Sequence, residues 1–549
     1  MGHRAAADRR PSRALRRRRG ARQDRGRGTP ALPRRPSWRR PLTESDLRDR
    51  IRLVLIRFVL CVGGGFTLGL AYPAIDWAGT AWIALVPVFY VAVTAPPRTA
   101  FGWGWLAGFA FFLPLLRWLN FTFRTYSDIP WPLTWAPTMA LAGYCALYFG
   151  LVAAAMALIA RRRGAGWACL AAPILWVAGE WLRATLLGGF PWGELGYSQY
   201  RQLTVIQVAE LGGAHAVSFV VCAVNAAITA TVVVEYRRAL LGVAVAGVLL
   251  ASTLGFGRMR LAEAEPVATV TIAGMQPSIA QPLKWDRSHT EATLRIYGDL
   301  TRKATERKPD LIVWPETASP TILRQDPYLL QALRDLSAQS GVPLLVGTVD
   351  VTESGRQRNT AFLLTGQGII GRYDKIHLVP FGEFVPLSGI IGFVKGWAEF
   401  ISELEPGARA TVFPGPPAPF GVVICYEGIF PELFRRFVRN GARVMVNMTN
   451  DAWFGHTEGP LQHLAMYPLR AVEHRTAVVR VANTGVSAFI TPKGRIATSL
   501  GLFERGDLVG QAMLRSRVTL YTRAGEWLAY AALVLSGGAL VATATGKAA

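Results

Sequence analysis

The hydrophobic and polar positions fall into two regimes. In the first, apolar runs close to the length that crosses a bilayer follow one another at roughly 51–72, 75–95, 99–119, 136–160, 165–184, 214–234 and 239–256, and one more lies at about 525–546. Together they predict a multi-pass α-helical membrane domain of about eight spans. From about 258 to 524 the pattern changes to short β-rich segments interleaved with charged helical ones. Strands are expected at 268–276, 310–316, 343–351, 359–366, 421–427, 442–451, 478–485 and 486–492, and helices near 286–307, 326–340, 430–440 and 461–477. Such interleaving predicts an α/β domain whose sheets are covered by helices, with reactive side chains gathered at strand ends.

Composition agrees with the membrane reading. The chain is 51% hydrophobic and only 17% charged, too apolar for an ordinary soluble protein. Its formal net charge of +24 suggests nucleic acid at first sight. The distribution argues against that partner: residues 1–50 hold 17 Arg against 5 acidic side chains, whereas residues 261–524 hold 28 basic against 24 acidic ones. The excess belongs to a basic, disordered tail over 1–50 that anchors topology or touches anionic lipid, unless the start codon is misassigned. No apolar run precedes residue 51, so the tail is not expected to be a cleavable signal peptide.

Basic residues stay on the cytoplasmic side of a span. The tail, Arg98, the triplet Arg161, Arg162, Arg163 and the pair Arg237, Arg238 fall on one side if the spans alternate. The expected organisation is then a cytoplasmic tail over 1–50, a membrane domain over 51–257, an extracytoplasmic domain over 258–524, and a last span with a short cytoplasmic tail over 525–549. In a cell with two membranes the large polar domain lies in the periplasm and the chain in the inner membrane.

Four of the five cysteines, Cys61, Cys145, Cys169 and Cys222, lie in or beside predicted spans, where a thiol is a small packing residue. Cys425 alone lies in the polar domain, at the end of the apolar run GVVIC. A lone thiol in an oxidising compartment is a liability unless its reactivity is used. Two other expected strands and loops end on useful chemistry: Glu316 follows LIVWP, and Lys375 sits in YDKIHLVPFGE. Singly, each is an ordinary cap, surface charge or core thiol. Together they supply a base, a cation and a nucleophile.

WPE at 314–316, the lysine of YDKIHLVPFGE at 373–383 and CYE at 425–427 resemble the Glu-Lys-Cys triad of the nitrilase (carbon-nitrogen hydrolase) superfamily. With KWD at 284–286, NMTNDAWFG at 447–455 and the flanking spans, the chain from about residue 51 onward resembles the apolipoprotein N-acyltransferase family. The resemblance implies an α-β-β-α sandwich for the polar domain. It also implies a ping-pong reaction: Cys425 takes an acyl chain from a phospholipid, chiefly phosphatidylethanolamine, and passes it to the α-amino group of a diacylglyceryl-cysteine on an apolipoprotein. Glu316 is then the proton acceptor and Lys375 stabilises thiolate and oxyanion. Glu383 matches a glutamate beside the triad, Tyr426 and Glu427 match residues flanking the nucleophile, and Trp285 matches an aromatic near the substrate. Trp285 also reads as core packing, and Glu427 as half of a structural ion pair. No cofactor and no metal are implied, since His289, His377, His456, His463 and His474 lack ligand spacing.

Two further stretches bear on a lipid substrate. The segment 384–407 is too long and too apolar for a solvated loop. Phe384, Ile390, Ile391, Phe393, Trp397 and Phe400 are expected either to dip into the bilayer as a lid over the acyl entry or to pack on their own domain. Glu180, in WVAGEWLR, is a carboxylate near a span end, where it either has a role or reaches water or Arg183. The loop 188–203 mixes aromatic and polar residues and could line a lipid portal. The rival reading is a membrane-tethered nitrilase-type amidase, in which water resolves the thioester; a transporter or scaffold with a degenerate nitrilase-like domain is a more distant one. Multiple spans beside a complete triad favour a donor that lives in the bilayer.

Overall fold

The computed structural model describes residues 43–265, 267–385, 403–415 and 417–545. Its first helices are α1 (Glu44–Gly69), α2 (Val86–Thr94), α3 (Pro97–Leu115), α4 (Arg117–Tyr126), α5 (Trp135–Arg163), α6 (Ala165–Thr185), α7 (Ala214–Val233) and α8 (Tyr236–Ala262). Another apolar helix runs over Trp527–Thr545. Among the described residues six of these helices are long and apolar enough to cross a membrane, and the bent pair α3 and α4 makes a seventh if it is one span. The expected number of about eight is therefore approximate.

The run expected at 75–95 shows why. It folds as a 3-10 turn, Ala78–Trp82, followed by the short α2 with Pro87 in its first turn. Proline lacks the N–H that a helix interior needs and is tolerated at a helix start, so the apolar run is cut in two. The run at 99–119 bends by 50° between α3 and α4. Pro114 lies inside the last turn of α3 and denies the helix a donor there. Small residues let α3 and α5 approach closely: a Cβ added at Gly104 would meet the Ala153 side chain at 2.6 Å, and one at Gly108 would meet Ala146 at 2.9 Å.

The polar region forms two six-stranded sheets. The first contains β1 (Thr269–Gln276), β2 (Leu311–Val313), β3 (Leu344–Val351), β4 (Gln357–Thr365), β5 (Gly368–Asp374) and β12 (Gly506–Met513), in the order β12-β1-β2-β3-β4-β5. The second contains β6 (Val412–Phe413), β7 (Phe420–Ile424), β8 (Val444–Thr449), β9 (Val478–Ala482), β10 (Ser487–Ile490) and β11 (Ile496–Leu500), in the order β11-β10-β9-β8-β7-β6. β1, β2 and β3 run parallel, as do β7, β8 and β9, while the outer strands are antiparallel.

Period-two alternation divides the first sheet between two cores. Ile272, Val313, Leu345 and Leu363 join Val422, Val446 and Val481 of the second sheet. Their neighbours Ala273, Met275, Ile312, Leu344, Val346 and Phe362 pack instead with Tyr297, Leu329 and Leu333, from helices Thr290–Thr305 and Pro327–Ser340. Both faces of this sheet are thus buried, as parallel strands require. The sheets touch closely at their centre, where a Cβ on Gly274 of β1 would fall 2.7 Å from Val481 of β9. Helices Pro431–Arg439 and Tyr467–His474 contribute Phe434, Phe437, Leu469 and Val472 to the core of the second sheet. The result is the α-β-β-α sandwich that the resemblance implies.

Polar contacts join this sandwich to the helices of the membrane region. Trp192 Nε1 donates to Gln462 (2.8 Å), Thr122 Oγ1 to the Trp453 carbonyl (2.9 Å) and the Ala214 N–H to Glu473 (3.0 Å). Arg470, wholly buried, bonds both Glu473 (2.7 Å) and the Tyr197 hydroxyl (3.1 Å).

Candidate active site

Three strand ends and one loop converge. β7 delivers the nucleophile candidate, because its five apolar residues are buried on every side and the chain must turn sharply at Cys425 to continue into the 3-10 turn Cys425–Ile429. Cys425 has φ of 54°, in the left-handed region that a residue with a Cβ enters at a cost on the order of 1–3 kcal/mol. The surroundings hold it there. Its carbonyl accepts from the Tyr467 hydroxyl (3.2 Å) and from Asn447 Nδ2 (3.4 Å), and the preceding amide of Ile424 donates to Glu427 (2.7 Å). Such a turn lifts the side chain off the end of its strand, and Cys425 keeps 9% of its surface exposed.

β2 ends just before Glu316, and β5 ends on Asp374, just before Lys375. Both side chains are buried. Lys375 Nζ stands 3.3 Å from Glu316 Oε1 and 2.8 Å from Glu383 Oε1, so one ammonium bridges two carboxylates. Asn359 Nδ2 donates to the same two oxygens at 2.8 and 3.1 Å. The second oxygen of Glu316 accepts the Asn450 N–H (2.8 Å), and that of Glu383 accepts the Val379 N–H (2.8 Å). Burial by itself would push the Lys375 ammonium down, but Glu383 and Glu316 outweigh it and hold the pKa above the ordinary lysine value. Lys375 is therefore a permanent cation.

The Cys425 pKa is raised as well, which for a thiol favours the neutral form. Burial and the Glu316 carboxylate raise its pKa, and Lys375 and the Thr449 hydroxyl only partly oppose them. At neutral pH the proton stays on sulfur in the resting protein, with a carboxylate and an ammonium both acting on it.

Glu427, with no exposed surface, serves as a clamp. Its carboxylate accepts from the Tyr373 hydroxyl (2.8 Å to each oxygen) and from the amides of Ile376 (2.6 Å) and His377 (3.0 Å), besides that of Ile424. Burial nevertheless raises its pKa to about 7. These partners are neutral donors, and among the described residues Glu427 is not half of an ion pair. Tyr426 faces a different way: its hydroxyl donates to the Gly189 carbonyl (3.4 Å), in the loop after α6, and its ring lies 5.0 Å from that of Phe430. His377 stacks on Phe430 at 3.7 Å and touches the same loop through the Gly188 backbone; burial lowers its pKa to about 4.

Two family models divide the chain where its architecture divides. Residues 64–227 match the apolipoprotein N-acyltransferase N-terminal domain, and residues 269–522 match carbon-nitrogen hydrolase. An apolipoprotein N-acyltransferase of Geobacter metallireducens is 37% identical over 88% of this chain and 94% of its own length. This chain belongs to the apolipoprotein N-acyltransferase family. Another relative of that name, from Allorhizobium ampelinum, is 34% identical and covers 82% of this chain and 88% of its own. Among solved structures, a Saccharomyces cerevisiae member of branch 10 of the nitrilase superfamily aligns at 22% identity and TM-score 0.36, over 46% of this chain and 93% of that one, and adds nothing to the family assignment.

Within this member of the apolipoprotein N-acyltransferase family, Glu316, Lys375, Glu383 and Cys425 meet in one place, with Glu427 behind them and Tyr426 beside them. Trp285 is 48% exposed, so it is not core packing. Trp397, with Ile390, Ile391, Phe393 and Phe400, lies outside the described residues; Phe384 is within them and half-buried. Glu180 is buried and accepts from Trp176 Nε1 (2.9 Å) and the Leu195 N–H (2.6 Å), while Arg183 donates to the carbonyls of Phe190 and Trp192, both at 2.6 Å. Glu180 thus pins the loop after α6, which carries Gly189. Sequence reasoning passed over Asn359, Asn450, Tyr373 and Lys284. Asn359 opens an expected strand as its one strongly polar end residue, and Lys284 attracted notice only as part of KWD; nothing local in the sequence marks either as buried beside a carboxylate.

Proposed function

We propose that this protein transfers an acyl chain from a membrane phospholipid to the N-terminal amine of a diacylated apolipoprotein, the last step in lipoprotein maturation. The observation that carries this reading is the single buried cluster of Cys425, Glu316 and Lys375, set in a carbon-nitrogen hydrolase domain that continues a membrane domain of the acyltransferase type. An acyltransferase of lipid needs both.

In the first half-reaction Cys425 attacks the ester carbonyl of a phospholipid, with phosphatidylethanolamine the proposed donor. Glu316 takes the thiol proton as the carbon–sulfur bond forms, and Lys375 stabilises the oxyanion. The intermediate collapses to a thioester, and Glu316 returns the proton to the departing glycerol oxygen, releasing a lysophospholipid. In the second half-reaction the α-amine of the diacylglyceryl-cysteine attacks the thioester, Glu316 accepts its proton, and that proton returns to sulfur as the amide forms. The high pKa of the Cys425 thiol fits a proton that leaves only as the bond is made. A permanent cation at Lys375 fits a group that never gives up its proton.

The proposed site is the inner membrane, with both termini cytoplasmic and the catalytic domain periplasmic, and with domain boundaries near 50, 257 and 524. Helix polarity supports this orientation. Arg161, Arg162 and Arg163 end α5, Arg237 and Arg238 begin α8, and the opposite end of α6 leads into the loop that bonds Tyr426. The amidase alternative is not favoured, because a soluble amide needs no membrane domain of this kind.

The test is mass spectrometry of the purified protein with phosphatidylethanolamine vesicles. A fatty-acyl adduct on Cys425, absent from Cys425→Ala and discharged by a diacylated lipopeptide with appearance of its N-acyl product, is expected. Discharge by water at the same rate with or without the peptide would overturn the transferase reading.

A further inference from the structure

Glu316 stands between two buried ammonium groups. Lys375 bonds its carboxylate, and Lys284, only 5% exposed, bonds its backbone: Lys284 Nζ lies 3.1 Å from the Glu316 carbonyl oxygen and 2.7 Å from Thr317 Oγ1. Thr317 has φ of 46°, so the residue after the base is held in the left-handed region as Cys425 is. Both hydrogen-bond acceptors of Lys284 are neutral. A buried ammonium without a bonded carboxylate is costly and survives where a nearby charge repays it. The groups that interact with it through space are Glu316 and Cys425.

We infer that Lys284 is a second cation of the acyl-transfer site, a positioning residue whose ammonium stabilises negative charge on the Cys425 sulfur and whose bonds fix the Glu316–Thr317 turn. The inference rests on the reading of Cys425 as nucleophile, and not on which lipid it attacks. Burial lowers the Lys284 pKa to about 8, against the opposing pull of Glu316 and Cys425. Its help therefore fades as pH rises through that value, unlike that of Lys375. The other charged or titratable groups acting on the sulfur are Glu316, Lys375, Asp451, Arg480 and Tyr467, and these are common to wild type and a Lys284 variant.

Alkylation of Cys425 by iodoacetamide, followed on its own peptide by mass spectrometry, reads thiolate supply without any lipid. A cation that acts on a thiolate lowers the thiol pKa, so wild type is expected to alkylate at least about threefold faster than Lys284→Met at pH 6.5. The ratio should fall towards one by about pH 9.5, as wild-type Lys284 loses its proton. A ratio that is unity, or that stays constant over this range, overturns the inference; a merely structural lysine gives the second result. Should Lys284→Met fail to fold, Thr317→Val decides. It keeps the ammonium but removes the nearer acceptor, so it should match wild type at pH 6.5 and lose that rate advantage at a lower pH; a profile identical to wild type overturns the inference. Wild type that alkylates as expected yet forms no thioester with phospholipid refutes the acyl-transfer reading and leaves the role of Lys284 standing.

Discussion

The carboxylate of Glu427 accepts the backbone N–H groups of Ile376 and His377 at 2.6 and 3.0 Å, so the residue two past the thiol grips the residues one and two past the lysine. The two segments come from different sheets, β7 and β5. Closing the site is thus a matter of one buried side chain holding two loops together.

Replacing Glu427 with Ala should therefore disrupt the site and the fold. Four donors, the buried Tyr373 hydroxyl and Ile424 amide and the part-buried amides of Ile376 and His377, would lose their acceptor. Each orphaned donor costs about 1–3 kcal/mol where water cannot reach it. A loss of about 3–5 kcal/mol in denaturant unfolding is expected after relaxation, with acylation of Cys425 reduced on the order of 100-fold or more. Unfolding by urea and the yield of thioester adduct measure the two effects separately.

Glu427 also carries a pH signature. Its folded-state pKa is raised from the ordinary 4.5 to about 7, so the folded protein holds this proton more tightly than the unfolded chain does. Its stabilising contribution is complete below about 4.5 and is lost as pH rises through about 7, an effect on the order of 3 kcal/mol. Glu427→Gln, which cannot titrate, should lack that part of the slope. The measurement is unfolding free energy of both proteins at intervals between pH 4.5 and 8; parallel curves would show that Glu427 does not hold its proton on folding.

Glu383 and Asn359 act on Lys375 and Glu316 together. Glu383 Oε1 and Glu316 Oε1 share Lys375 Nζ and Asn359 Nδ2, a closed ring of two carboxylates and two donors. Without Glu383 the Lys375 ammonium is expected to pair with Glu316 alone, and a tight pair of that kind would weaken Glu316 as the proposed base. Glu383→Ala is expected to slow thioester formation on the order of 100-fold while leaving binding of phospholipid vesicles unchanged, and Asn359→Leu to slow it about tenfold. Single-turnover acylation rates against vesicle co-sedimentation make the distinction.

How far these relationships were legible beforehand differs by kind. The eight strands expected from apolar runs are the interior strands of the two sheets. The four that were not expected, β5, β6, β11 and β12, are the four sheet edges. Edge strands are half-exposed and carry mixed residues, as in IATSL and GDLVGQAM, so they leave no apolar run to read. The same limit applies to the site. Cys425, Glu316 and Lys375 follow strands or a loop rich in signal, and the resemblance singles them out. Asn359 becomes a neighbour of Glu316 only through sheet pairing, since β2 reaches β4 by way of β3, and Lys284 only through the turn Gln281–Leu283 that follows β1. In the membrane region the apolar runs were legible, but Pro87 and Pro114 divide or bend two of them, and hydropathy does not register a missing N–H.

Trp285 separates structural from substrate roles most simply. It lies beside buried Lys284, yet 48% of its own surface is exposed, and Leu283 before it is 39% exposed. An exposed ring contributes little to the core, so Trp285→Ala should change the unfolding free energy by no more than about 0.5 kcal/mol. If the ring meets the lipid chains or the lipoprotein anchor, the same substitution removes an aromatic contact that commonly contributes about 1–2 kcal/mol to recognition. The expected outcome is an apparent KM for vesicle phospholipid raised about tenfold with little change in kcat. A water-soluble short-chain thioester donor, which needs no such contact, should be used equally well by both proteins. Equal losses on both donors would place Trp285 in the chemistry itself, and a markedly lowered unfolding midpoint would return it to the core.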